Sequence, residues 1–365
     1  MDDKTYENTF DVEKKQVDVF SAKCDKCGAN LVFNPEKGCL YCEHCGATKD
    51  FKSSGEVAEL QIKDAFLNAE QWSDDSVAYR CENCGAIVIV DGKDTATLCP
   101  YCGTGHVKEI EGEKGLKPGV LYPFTISGDT AVSKAREWCK KRIFAPRKFK
   151  KSFTVDNMKG VYEPCYTFDS DTYSTYEGRL GKTVTRTVGS GKDRRTVTTT
   201  EYFRVSGTYS HFFDDVFINA STSYDRKTFN KIAPFNYETI KGYDKRYLSG
   251  FMAHRSEKKI DDAWDEAKSD MDSKLRRLIL SQYVYDTVSY LNVSTVHNNV
   301  TYKYVLVPVY LLNYNYAKSN YKVYVNGNTG KVTGKTPLSW LRIGFAVLLG
   351  LAAATGLVYL IQNFL

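Results

Sequence analysis

Eight of the chain's 11 cysteines stand in four Cys-x-x-Cys-Gly turns: Cys24 and Cys27, Cys42 and Cys45, Cys81 and Cys84, Cys99 and Cys102. Each turn lets two thiolates converge from one tight loop, and the glycine supplies the backbone freedom that leaves amides facing sulfur. Two such turns brought together make a tetrahedral all-sulfur site, for which Zn²⁺ is the expected ion. The spacing therefore predicts two zinc ribbons, with two zinc ions held by these eight residues. Four protein ligands leave no open position for water or substrate, so both sites are expected to be structural and the chain is not expected to be an enzyme. The alternatives are disulfides or a redox Cys-x-x-Cys. The sequence reads without a secretory leader, and a thioredoxin-type motif does not come as two pairs of pairs.

The two ribbons are an internal repeat. Cys24, Cys27, Gly28 and Ala29 fall 57 positions before Cys81, Cys84, Gly85 and Ala86, and Cys42, Cys45 and Gly46 stand in the same relation to Cys99, Cys102 and Gly103. Fourteen residues separate the inner cysteines in both copies. Cys39 has Ala96 as its counterpart and is read as a bystander, and His44 and His106 as knuckle residues rather than ligands. Metal binding, on the order of 10 kcal/mol or more per site, is expected to fold units too small to carry a core.

The net charge of +6 conceals an asymmetry. Residues 1–114 carry 13 Lys/Arg against 22 Asp/Glu, a net of −9, which leaves +15 for residues 115–365. Four thiolates around one Zn²⁺ add −2 per site and make the metallated ribbons more acidic still. Nucleic-acid affinity comes from Lys and Arg displacing counterions from phosphates, so the sign argues against nucleic acid and for a protein partner at the ribbons.

From Ile343 to Leu360 every residue is uncharged and most are apolar. The 23 positions from Ile343 to Leu365 would reach roughly 34 Å as a helix, enough to cross a bilayer core of about 30 Å. Trp340 suits the interface, and Lys331, Lys335 and Arg342 precede the span, which predicts a tail anchor with the N-terminal bulk in the cytoplasm, at the cell membrane. Ala346, Gly350 and Ala354 form a small-xxx-small seam through which two such helices could pack into a homo-oligomer.

The elements that must carry these motifs divide the chain as follows: an N-terminal segment (1–20), zinc ribbon 1 (21–50), a helical linker (51–77), zinc ribbon 2 (78–110), a β-rich α+β domain (115–336) and a transmembrane tail anchor (340–365). Within 115–336 the Thr- and Val-alternating runs on either side of "GSGKD" predict a long hairpin, and residues 300–332 a second meander. Helices are expected near Thr130–Phe144 and over Glu257–Leu280, where Ile260, Ala263, Trp264, Ala267, Met271, Leu275 and Leu278 keep helical spacing. The class is α+β with antiparallel sheet.

Two stretches there resemble phosphate loops and fail in detail. "GNTGKVTGKT" has Thr329 where GxxxxGK[ST] needs glycine, and "GSGKD" needs glycine at Arg186 and Ser or Thr at Asp193. Glycine-rich hairpin turns explain both. Cys139 and Cys165 read as small core residues. The densest basic run, Lys140–Lys151, is either a solvated helix end or, in a tethered domain, a surface facing anionic lipid.

"LYPFTIS" (121–127), "MKGVYEPCYTF" (158–168), "VPVYLLNYNY" (307–316) and "YKVYVNGNTGKVTGKTP" (321–337), behind Cys-x-x-Cys-Gly ribbons and ahead of a terminal apolar helix, resemble a family of bacterial tail-anchored double zinc-ribbon membrane proteins. The resemblance covers nearly the whole chain. Members often carry labels such as transcription-factor-type zinc ribbon or replication-restart helicase, and no helicase motor motif is present here. The resemblance implies a noncatalytic adaptor or scaffold that partners stomatin/flotillin-like (SPFH) proteins, sometimes beside phage-shock-type membrane-stress proteins. It assigns only the eight zinc ligands already named. Family members have an aromatic residue after the proline of "GVYEP", where this chain has Cys165. The alternative is a membrane-tethered nucleic-acid-binding factor using the basic β-rich domain.

Overall fold

Period-two patterning is clearest between Asp171 and Leu180, where Thr172, Ser174, Tyr176, Gly178 and Leu180 are buried and Asp171, Tyr173, Thr175, Glu177 and Arg179 are exposed. Such alternation needs a sheet with one covered and one open face. The computed structural model describes residues 17–18, 22–53, 57–63, 76–81, 87–91, 107–110 and 118–364, apart from 152, 154–157, 190, 222–225, 255, 257 and 317–318.

In chain order the strands are β1 (Val17–Asp18), β2 (Ala22–Lys23), β3 (Asn30–Asn34), β4 (Cys39–Cys42), β5 (Thr48–Lys49), β6 (Leu60–Gln61), β7 (Ser76–Cys81), β8 (Ile87–Asp91), β9 (Val107–Ile110) and β10 (Val120–Leu121). They continue with β11 (Met158–Val188), β12 (Arg195–Asn219), β13 (Lys241–Gly242), β14 (Met252–His254), β15 (Thr287–Tyr316), β16 (Ser319–Asn326) and β17 (Val332–Gly334). The helices are α1 (Gly128–Lys140), α2 (Arg147–Lys151), α3 (Arg226–Ile232), α4 (Ile260–Leu280) and α5 (Trp340–Phe364).

Two strands of about thirty residues, β11 and β15, pair antiparallel along most of their length and form the spine. On its outer side β11 takes β14 near Val161 and then β12 from Cys165 to Val188. The outer side of β15 takes β6, β10 and β16 in succession. The long hairpin expected around "GSGKD" is β11–β12, turning through Gly189 and Gly191 at positive φ. Beyond the last β11–β15 pair, Gly181 with Thr287, that hairpin continues as two strands alone.

The covered face of this far half packs on α4. Ala263, Ala267, Met271, Leu275 and Ile279 are all buried, and the first four join Phe168, Tyr166, Phe213 and Ile218 in one cluster. The "GNTG" segment is the turn between β16 and β17, where Asn326 Oδ1 accepts from the Asn328 and Thr329 amides. Cys139 and Cys165 lie fully inside apolar clusters, where burial pushes both thiols up. The described part of the 51–77 segment, expected to be a helical linker, holds β6, which joins the main sheet, two helical residues at Ile62 and Lys63, and the start of β7.

Ribbon 1 is not set apart from the body. Leu31, Phe33 and Leu40 belong to the same buried cluster as Phe124, Tyr162, Tyr247, Leu248 and Tyr310. The Phe33 ring meets Tyr247 edge-on at 5.0 Å, the Phe33 amide donates to Ser249 O at 2.8 Å, and Ser249 Oγ donates to Leu31 O. Gly250 sits at φ +85°, and a Cβ there would press on Val32 at 3.0 Å, so the ribbon's approach requires glycine.

Candidate metal centre

The two knuckles of ribbon 1 are built alike. Cys24 O accepts from the Gly28 amide at 2.9 Å while the Cys24 amide donates to Ala29 O at 2.7 Å. Cys42 O accepts from Gly46 at 2.9 Å and its amide donates to Ala47 O at 2.8 Å. Both loops close through a glycine in the left-handed region, Gly28 at +74° and Gly46 at +73°. That conformation turns successive amides toward the sulfurs.

The loops bring Cys24, Cys27, Cys42 and Cys45 together with all four Sγ atoms within 4.8 Å of one another. Cys24 Sγ is 3.6 Å from Cys45 Sγ, and Cys27 Sγ is 3.5 Å from Cys42 Sγ. A tetrahedral ion with Zn–S of about 2.3 Å sets its sulfurs about 3.8 Å apart, so the donor set is compatible with zinc. Backbone amides of Lys26 and Cys27 lower the Cys24 thiol to about 7, and the Cys45 amide lowers Cys42. Cys27 goes the other way: the Ala29 amide pulls it down, but desolvation and the neighbouring sulfurs lift it to about 12. Such mutual opposition among thiols is what a divalent cation relieves, since it stabilises all four as thiolates. Cys39, buried at the start of β4, is not among the four.

The repeat reappears in backbone register. β3 and β8 stand 57 positions apart, and the pairs Ala22–Leu31 and Lys23–Asn30 of the first unit recur as Tyr79–Val88 and Arg80–Ile87 in the second. Cys81 ends β7. Cys84, Cys99 and Cys102, the other three expected ligands of ribbon 2, lie outside the described residues.

A second group of metal-competent atoms was not visible in the sequence. Asp169, Asp214 and Asp215 gather at the β-bulge where β11 leaves register with β12. Their place is taken by a buried lysine: Lys303 Nζ lies 2.8 Å from Asp215, 2.9 Å from Glu59 and 3.5 Å from Asp169. Burial works to lower the Lys303 pKa, and the hydrogen bonds its ammonium donates to Asp215 and Glu59 outweigh it and raise the group above its ordinary range. Asp215 holds φ at +48°, which lets its amide reach Asp169 Oδ1 at 2.6 Å. A cationic ammonium inside three carboxylates already does the electrostatic work of a bound cation.

A serine–histidine–carboxylate line also occurs. Ser170 Oγ is 3.4 Å from His297 Nδ1, and His297 Nε2 is 3.7 Å from Asp272. Ser170 is fully buried within the spine and cannot meet a substrate, and its hydroxyl also points to Asn298 O.

Among the described residues, α5 is long and apolar enough to cross a membrane, with none of Trp340–Gln362 buried against the body. The features define a class: an α+β protein with a four-cysteine metal-type site and one candidate membrane-spanning helix. The chain is similar to the uncharacterized protein YdjG of Bacillus subtilis (strain 168), with 29% identity over 328 residues, covering 88% of this chain and 91% of YdjG. No family model and no solved structure matches.

Proposed function

We propose that this protein is a noncatalytic membrane-anchored adaptor, whose α5 spans the cell membrane with the bulk of the chain in the cytoplasm, and whose two zinc-bearing ribbons stabilise a surface that recruits a protein partner. The observation that carries this reading is the pairing of an apolar helix that buries none of its span with a four-sulfur cluster on one chain. The first needs a bilayer around it, and the second offers structure without a reactive position. Eight ligands would hold two zinc ions: Cys24, Cys27, Cys42 and Cys45 at ribbon 1, and Cys81, Cys84, Cys99 and Cys102 at ribbon 2. The resemblance of its motifs to the tail-anchored zinc-ribbon family makes a stomatin/flotillin-like or phage-shock-type protein the first partner to seek.

Three measurements test the reading. Carbonate extraction should leave the chain in the membrane, and removal of Ile343–Leu365 should release it. Elemental analysis should find two zinc ions per chain, and one ion, or iron instead, would overturn the ligand assignment. Affinity purification in mild detergent should return a defined membrane protein that is lost when residues 1–114 are deleted.

A second reading has its own observation. Arg204, Arg179 and Tyr290 form one row across the open face of the long sheet, and Arg179 stacks on the Tyr202 ring at 4.7 Å. A basic aromatic row of this kind can bind single-stranded nucleic acid. Tight binding that falls steeply with salt and is lost in Arg179→Gln/Arg204→Gln would favour it over the adaptor.

A further inference from the structure

The loop between α1 and α2 is nearly two hundred residues from the apolar helix in sequence and is bonded to it in space. The Ser339 amide donates to Phe144 O at 2.8 Å, and Arg342 Nη1 donates to Ile143 O at 2.9 Å and to Ala145 O at 2.8 Å. The loop is fixed from below as well, by buried Cys139, Ala145, Phe149 and Phe153, the last two rings meeting edge-on at 5.2 Å. Its position relative to the first turn of α5 is therefore set by packing and three hydrogen bonds.

What it presents outward is unusual for a soluble surface. Lys140, Lys141, Arg142, Arg147, Lys148 and Lys151 are exposed, and no Asp or Glu falls between Trp138 and Lys151. In sequence between these cations Ile143 is 66% exposed, and between the bonded Ser339 and Arg342 stand Trp340, 80% exposed, and Leu341, 88% exposed. Cations around an exposed aliphatic side chain match a membrane interface, with phosphates for the cations and an acyl boundary for the isoleucine. A nucleic acid would offer the phosphates without the apolar layer, and would have to approach an anionic bilayer to reach them.

We propose that this loop is a membrane-surface collar: anchored by α5, it lays its lysines and arginines on anionic lipid headgroups and places Ile143 at the acyl boundary. The proposal rests on the membrane-anchor reading of α5, and it fixes the face of the β-rich body that lies against the bilayer. The opposite end of the spine, where β15 begins after exposed Val284, then projects away from the membrane.

The test uses the full chain in lipid nanodiscs, with a benzophenone photocrosslinker introduced as Ile143→p-benzoyl-phenylalanine or, as control, Val284→p-benzoyl-phenylalanine. Discs are either phosphatidylcholine alone or contain about 30% phosphatidylglycerol, enough to give a strongly negative surface. Lipid adducts at position 143 should exceed those at 284 by roughly fivefold or more in anionic discs and fall toward control at about 0.5 M salt, where surface charge is screened. Lys140→Gln/Lys141→Gln/Lys148→Gln/Lys151→Gln alters only exposed side chains and should bring the anionic-disc yield down to that of neutral discs. A chain that does not enter discs overturns the anchor and the collar together. Entry with equal yields at 143 and 284, or adducts at 143 on protein instead of lipid, overturns the collar and leaves the anchor standing. Equal yields at 143 in neutral and anionic discs overturn the headgroup assignment.

Discussion

Lys303 shows how far one side chain can bind distant parts of this chain. Its ammonium, 6% exposed, takes Glu59 from the segment after ribbon 1, Asp169 from β11 and Asp215 from β12. The coupling is electrostatic and asymmetric, because removing the cation leaves carboxylates buried without compensation, which costs about 3–5 kcal/mol. Lys303→Met should therefore lower the denaturant midpoint strongly, while Lys303→Met with Asp169→Asn and Asp215→Asn should recover much of the loss. If the triple variant is no more stable than the single one, the carboxylates are not what the lysine balances. Nothing in the sequence could have marked this group, since its members are up to 244 positions apart. The four-cysteine cluster is the reverse case: spacing alone grouped Cys24, Cys27, Cys42 and Cys45, because a Cys-x-x-Cys-Gly knuckle is built within five consecutive residues.

The same division between local and distant information governs the elements. The β11–β12 hairpin, the β15–β16–β17 meander and α4 were legible because periodicity and turn glycines are written within each segment. The docking of ribbon 1 on residues 247–250, the pairing of β6 with β15 and the bond from α5 to the 143–145 loop were not, because each depends on surfaces that exist only once separate segments have folded. Length had a further consequence that patterning did not announce. Residues 182–188 and 195–201 continue the hairpin past the end of β15, with no third strand and with almost every side chain exposed. An isolated two-stranded ribbon is marginal in water, and its ladder should open independently of the body. Hydrogen exchange should therefore be about a hundredfold or more faster in 183–188 and 196–200 than in 165–178, where β15 and α4 close the sheet. Uniform protection along the whole hairpin would mean that a partner or a second copy covers its tip.

At the scale of the molecule, ribbon 1 and the β-rich body share one core, and this sets what a metal held by the four cysteines would do. Cys24 and Cys42 lie in the cluster that contains Phe124, Tyr162, Tyr247 and Tyr310. Phe33, Phe51 and Tyr247 form a triad of edge-on rings, and Arg246 lies over Phe51 at 4.6 Å while donating to Lys52 O. A ribbon attached this way is a wall of the domain, and its outward surface includes the two knuckles, at Lys26–Gly28 and Glu43–Gly46, the Glu36–Gly38 turn and the edge at Thr48–Asp50. The free energy of metal binding at the four cysteines, on the order of 10 kcal/mol, would then support the body as well as the ribbon. A strong chelator added to the full chain in detergent should lower the melting temperature of the body, read by near-ultraviolet circular dichroism from its tyrosines, and zinc should restore it. Phe33→Ala, which removes a ring from the shared core at a cost of about 3–5 kcal/mol, should lower the same transition with zinc still bound and reduce its further fall on chelation. A body that melts at one temperature with and without metal, and is indifferent to Phe33→Ala, would make the ribbon an independent module and return recruitment to a detachable arm.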